Sequence, residues 1–148
     1  MAVATNSVFS HTDALVQTWD LGAATPKGTL VVKNDIIGVT LTNTVGITDT
    51  KVTQVGPYSI VEPTEAGVGN DKATAVGQYA AGVALDGTWE FADITGGTLN
   101  TAQGTPVFAT SAGALTLTAT DNTRVGVVNF PASYHRTAAK TLPVAIGV

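Results

Sequence analysis

The side chains able to do acid–base, nucleophilic or metal chemistry are few and scattered. Histidine occurs twice, at His11 and His135. His11 and Asp13 stand two residues apart, so on a strand they share a face and could touch one metal ion. No third ligand stands nearby, and metal sites ordinarily need three or four. His135 lies in Ser133-Tyr134-His135-Arg136. Neighbours on a strand point to opposite faces, so adjacency does not make Ser133 and His135 a nucleophile–base pair. Glu62, Glu65 and Glu90 are too few and too scattered to nominate a carboxylate pair. Gly67-Val68-Gly69-Asn70-Asp71-Lys72 has glycines and a lysine but not phosphate-loop spacing, and reads as a flexible turn. Trp19, Trp89, Tyr58, Tyr79 and Tyr134 could stack on sugars or bases, although such residues more often anchor cores or interfaces. No catalytic residue, cofactor or metal site is nominated, and no enzyme activity is expected.

Composition narrows the field further. The chain has 148 residues and no cysteine, which excludes disulfides, thiolate metal sites and cysteine nucleophiles together. Charged residues make up 12%, about half the usual share, while 44% are apolar, which argues against disorder. The net charge of −4 lacks the basic excess with which nucleic-acid binders neutralise phosphates, so no nucleic-acid partner is expected. The start has no basic segment followed by a long apolar run, and no stretch approaches the ~20 apolar residues that span a bilayer; a secretory signal and a membrane partner are therefore not expected. Synthesis in the cytoplasm is the expectation.

The elements that must carry these residues read as β. Thr (25), Ala (21), Val (19) and Gly (16) together supply over half the chain. Thr and Val are stiff at χ1 and suit a pleated, half-buried surface. The clearest alternation is Leu115 to Thr120, with Leu115, Leu117 and Ala119 on one face and threonines on the other. Further strands are read at Leu15–Asp20, Thr29–Val32, Ile36–Thr42, Thr50–Val55, Tyr58–Val61, Ala80–Leu85, Thr88–Ile94, Val107–Thr110, Arg124–Phe130 and Pro143–Val148. Turn residues separate them: Lys33-Asn34-Asp35, Gly56-Pro57, Gly96-Gly97, Ser111-Ala112-Gly113 and Asp121-Asn122. Asp86-Gly87 reads as a tight hairpin turn. Many short strands with close turns predict an all-β, antiparallel barrel or sandwich with under about a fifth helix. Gly38-Val39, Gly82-Val83 and Gly126-Val127 recur at 44-residue intervals, but their flanks do not match. Met1 to about residue 12 lacks periodicity, leaving Val3, Val8 and Phe9 outside any strand. It is expected to be an extended arm, with residues 13–148 as a single domain. The expected core is Trp89, Phe91, Val107, Phe108, Leu115, Leu117, Val125 and Val127.

From Leu15 onward the order of short motifs resembles the bacteriophage capsid cement, or head decoration, family. The matching residues are Gly87, Trp89 and Phe91; Gly104, Thr105, Val107 and Phe108; Gly113, Leu115 and Thr116; and Asn122, Val125, Gly126 and Val127. Earlier, Gly28-Thr29-Leu30-Val31 and Ile37-Gly38-Val39 resemble the family's first strands. The stretch Pro57 to Val76 is longer than the family pattern, which implies a loop insertion near 62–76. The resemblance implies a small β-barrel on the outer surface of a phage head, stabilising the lattice of the major capsid protein, without catalysis. It implies a virion protein that is a homotrimer, with the major capsid protein and itself as partners.

Low charge and spare aromatics fit such a role, because interface centres are depleted of charge and enriched in aromatics. The expected capsid or subunit contacts are Val8, Phe9, Trp19, Tyr58, Tyr79 and Tyr134. Two other classes stay open: a carbohydrate-binding or adhesive module, such as a head fibre or tail component, and a small hydrolase built around His135.

Overall fold

The computed structural model describes residues 2–9, 16–47, 50–63, 73 and 75–148. These contain thirteen β-strands and no helix. They run β1 (Ala4–Phe9), β2 (Val16–Asp20), β3 (Leu30–Lys33), β4 (Ile36–Thr40), β5 (Val45–Gly46), β6 (Thr50–Val55), β7 (Tyr58–Pro63), β8 (Tyr79–Ala84), β9 (Gly87–Phe91), β10 (Pro106–Ala109), β11 (Leu115–Thr116), β12 (Thr123–Val128) and β13 (Leu142–Ile146). The expected all-β, antiparallel architecture is what forms. The chain divides into two compact units: residues 1–16, 28–39 and 84–148, and residues 17–27 and 40–83.

The first unit carries a six-stranded antiparallel sheet in the order β1-β9-β13-β12-β10-β11. Its core gathers Leu30, Val39, Phe91, Ile94, Val107, Leu115, Val125, Val128, Leu142, Val144 and Ile146, all buried. The same unit holds the β3–β4 hairpin, closed by Asn34 and Asp35 at φ of 51° and 64°. Both central residues left-handed is the turn whose twist matches antiparallel strands, and Asn and Asp tolerate it better than other non-glycine residues.

Several expectations change here. Of the arm expected over residues 1–12, residues 4–9 are a paired strand. β1 follows β9 with two register shifts, pairing Ala4 with Phe91 and Phe9 with Thr88. The backbone at its start is tied to the entry of β3, since Leu30 N–H donates to the Ala2 carbonyl at 2.9 Å and Ala4 N–H to that of Gly28 at 2.6 Å. Of the expected core, Phe91, Val107, Leu115 and Val125 are buried, whereas Trp89, Phe108, Leu117 and Val127 are only half-buried. Val107 and Phe108 are consecutive on β10, and consecutive strand residues face opposite ways, so both could not enter one core.

The run Leu115 to Thr120 pairs with β10 only through Leu115 and Thr116. Beyond them, the Thr116 hydroxyl accepts from Thr118 N–H at 3.2 Å and Asn122 Nδ2 donates to the Thr118 carbonyl at 3.0 Å. These local side-chain bonds offer the backbone an alternative to a ladder. Asp86-Gly87 does not close a hairpin either: β9 pairs with β1 and β13, not with β8.

In the second unit β2 and β5 both pair with β8, and Ile47, Ala73 and Ala80 form a small core. Threonines tie its loops. Thr25 N–H donates to Thr44 Oγ1 at 2.8 Å, and Thr40 Oγ1 to the Pro26 carbonyl at 2.8 Å. β6 and β7 form a separate two-stranded sheet around Gly56-Pro57. β7 runs through Pro63, so the first residues of the insertion expected near 62–76 are strand, while residues 64–72 and 74 lie outside the described residues.

Candidate interaction surface

The β6–β7 hairpin has the composition of a buried element in an exposed position. Every residue from Thr50 to Glu62 is solvent-exposed. Gly56 has a φ of 60°. A left-handed glycine followed by proline, whose φ is fixed negative, suits a two-residue turn with glycine at the first central position. The register follows from that turn: Val55 opposes Tyr58, Thr53 opposes Ile60, Val52 opposes Val61 and Lys51 opposes Glu62.

Directly opposed residues share a face. One face therefore presents Val52 and Val61, flanked by Gln54 and Ser59, whose side chains hydrogen-bond at 2.7 Å. The other presents Thr53, Ile60, Val55 and Tyr58, with Lys51 and Glu62 as its charged end. Tyr58 is 74% exposed beside the turn. A two-stranded ribbon is marginal in water by itself, and apolar side chains on both faces add to what it must cover.

Of the residues expected at an interface, Tyr58 alone stands free at the surface among those whose side chains are described. Trp19 is 7% exposed, the single inward residue of β2, and its Nε1 donates to Gln17 Oε1 at 3.1 Å. Trp19 is thus a core residue of the second unit and is not available for contact. Tyr79 is half-buried, its ring against Gly46 and its backbone N–H donating to Asp20 Oδ1 at 2.9 Å. Val8 and Phe9 lie on β1.

Tyr134 belongs to a polar cluster in the first unit. Its hydroxyl donates to Glu90, its ring lies 6.2 Å from that of Phe130, and the Arg136 guanidinium sits 4.8 Å above the Phe130 ring. Arg136 Nη1 also donates to the Thr98 carbonyl at 3.1 Å, so the cluster clasps the 130–136 loop to β9. Burial, then the hydrogen bond to the Glu90 carboxylate and its charge, push the Tyr134 phenol up to about 12, with Arg136 opposing. Sequence reasoning picked Tyr134 as a contact residue; it is engaged within its own unit.

The residues considered for chemistry do not converge. Ser133 and His135 are exposed, Glu90 is engaged by Tyr134, and Glu62 is on the hairpin. His11, Asp13, Glu65 and the 67–72 glycine turn lie outside the described residues. No group of three His, Cys, Asp or Glu able to hold a metal occurs among the described residues. An open cleft of about 440 Å³ in the first unit is lined chiefly by Ile36, Ile37, Leu85 and Val125, with Asp35 and Arg124 among its walls.

The apolar hairpin faces were not foreseen. The sequence predicts strands at Thr50–Val55 and Tyr58–Val61, but the apolar residues at 52 and 55, and at 60 and 61, fall on both faces, and the sequence does not show that neither is covered. No family model, curated protein or solved structure matches the chain.

Proposed function

We propose that this protein is a capsid decoration protein, which seats on the outer surface of a phage head and stabilises the lattice of the major capsid protein. The observation that carries the reading is the β6–β7 hairpin: an element apolar on both faces and exposed from Thr50 to Glu62, built for contact with another protein. The ordered motifs that resemble the decoration family support it. Those from Gly87 to Val127 fall on or beside β9, β10, β11 and β12, four of the six strands of the large sheet, and the two earlier ones on or beside β3 and β4. The homotrimer that the resemblance implies is part of the proposal, and binding at many equivalent sites makes a modest individual contact effective.

The test is to mix the purified protein with undecorated heads and sediment them. Co-sedimentation, with heads that melt at a higher temperature when decorated, is the expected result. Protein left wholly in the supernatant would remove the reading. The exposed ring of Tyr58 favours one second reading, an adhesive module that stacks on sugars. Retention on a glycan column, lost in Tyr58→Ala, would select it.

A further inference from the structure

The two edges of the β6–β7 hairpin are not equivalent. β7 is bracketed by Pro57 in the turn and Pro63 at its end. Proline has no N–H to offer a neighbouring strand, a common way of closing an edge. β6, Thr-Lys-Val-Thr-Gln-Val, has neither proline nor glycine, carries one charge, and consists mostly of good strand formers. Among the described residues no strand lies beyond it.

The turn fixes which backbone groups that edge presents. In a two-residue hairpin the pair closing the turn, here Val55 and Tyr58, is hydrogen-bonded to itself. Counting back, Thr53 and Lys51 also face β7, while Val52 and Gln54 turn their N–H and C=O outward. The edge therefore offers two donors and two acceptors, separated by Thr53.

We propose that β6 pairs antiparallel with β6 of a second copy of this chain, about a two-fold axis through Thr53. In that register Val52 lies opposite the second copy's Gln54, and Gln54 opposite its Val52. Four backbone hydrogen bonds form, and they use the outward groups of Val52 and Gln54 on both strands. Thr53 meets its own equivalent, a favourable cross-strand pair, and Lys51 meets Val55 rather than another lysine. The second copy is the occupant because in this register the strand is complementary to itself in hydrogen bonding and its single charge, Lys51, meets no like charge. Pairing converts two marginal ribbons into one four-stranded sheet, past the three strands that independent stability requires. It also joins the Val52–Val61 faces of both copies into one apolar surface. A two-fold contact cannot lie within a closed trimer, so it links one oligomer to the next. Its existence does not depend on the capsid reading, since it is measured without heads.

The experiment uses the full chain in a dilution series followed by sedimentation velocity or light scattering. The weight-average mass is expected to rise at least two-fold from the lowest to the highest concentration. Thr53→Lys places like charges directly opposite one another on the axis and should hold the mass at the lower value. So should Thr53→Glu. An equimolar mixture of the two should recover the rise, because opposite charges then meet. Ile60→Lys puts the same charge on the same face of the hairpin, away from the β6 edge, and should still associate. A wild-type mass constant with concentration, a mixture that fails to recover, or loss of association in Ile60→Lys would each overturn edge pairing. Amide exchange on the wild type gives a reading that needs no variant. Protection of Val52 and Gln54 should rise with concentration while that of Thr53 stays fixed, and equal behaviour of all three would refute the register.

Discussion

Tyr79 faces Gly46 across the β5–β8 ladder, and its ring fills the space that a Cβ at position 46 would need. The glycine leaves a gap in the pleated surface and the aromatic opposite covers it, which stabilises a strand of only two residues. The Tyr79 backbone is held as well, through its N–H to Asp20 Oδ1, so the strand cannot shift away from Gly46 without losing that bond.

Gly46→Ala is therefore expected to destabilise the second unit by about 1–3 kcal/mol, the usual cost of forcing an extra carbon into an occupied space. Each kcal/mol lowers Tm by roughly 2–4 °C in a chain of this length. Pairing the change with Tyr79→Ala should return part of the loss, as expected for two residues in contact. Thermal melts of the two single variants and the double variant decide it. Simple additivity would show that the ring and the glycine are energetically independent.

Phe91 and Phe108 separate the two faces of the large sheet. Phe91 is fully buried in the first unit's core, while Phe108 is half-buried on the other side of β10 from Val107. Phe91→Ala is expected to cost about 3–5 kcal/mol and Phe108→Ala distinctly less. Equal losses of Tm in the two variants would contradict the face assignment.

How far the sequence could be read varies from strand to strand, for physical reasons. Thr50–Val55 is bounded as expected because β-branched residues and the Gly56-Pro57 turn are local signals. β1 was missed because Ala-Thr-Asn-Ser-Val-Phe mixes polar and apolar residues, and its partner β9 is remote in sequence, so nothing local marks the pairing. Gly126 carries a motif position, but only the structure shows why glycine stands there: a Cβ would collide with the Ala145 carbonyl of β13. The interface residues were least legible. Aromatic identity does not say which way a ring points, so Trp19, inward on β2, and Tyr58, outward beside a turn, looked alike.

The N-terminal strand gives the third prediction. Deleting residues 2–9 uncovers the β9 edge and removes the Ala2 carbonyl that accepts from Leu30 N–H. Exposed ladder groups and lost packing should lower Tm and increase aggregation, since an uncapped edge invites pairing with other chains. A truncated protein that melts like the full chain and stays dispersed would show that β1 contributes little, as an unpaired arm would.

Tyr134 supplies a pH test. Its folded pKa, about 12, lies above the ordinary tyrosine value, so the folded protein holds this proton more tightly than the unfolded chain does. The stability linked to it is fully present below about pH 10 and is lost as pH rises through about 12. Phenolate absorbance followed on the folded protein should contain a component titrating near 12. That component should vanish in Tyr134→Phe. In Glu90→Gln it should move down, because the carboxylate's charge is one of the causes that raise it. A titration curve unchanged by either variant would contradict the Tyr134–Glu90 contact.

The last prediction concerns salt, and it rests on the proposed decoration function. The hairpin offers Val52, Val55, Tyr58, Ile60 and Val61 to a partner, and its two charges, Lys51 and Glu62, oppose each other across the ladder and cancel. A contact made of such groups draws its free energy from apolar area removed from water, which salt does not screen. Binding to undecorated heads should therefore be nearly unchanged between low and high ionic strength, and should strengthen slightly in sulfate, which favours burial of apolar surface. Tyr58→Ala and Ile60→Ser should each weaken it, because each removes exposed apolar area without touching a ladder hydrogen bond. Binding measured by sedimentation across a salt series separates the possibilities. Affinity that falls steeply with salt would mean that ionic contacts elsewhere on the chain hold it to the head. Full affinity retained in both variants would remove the hairpin from the capsid contact.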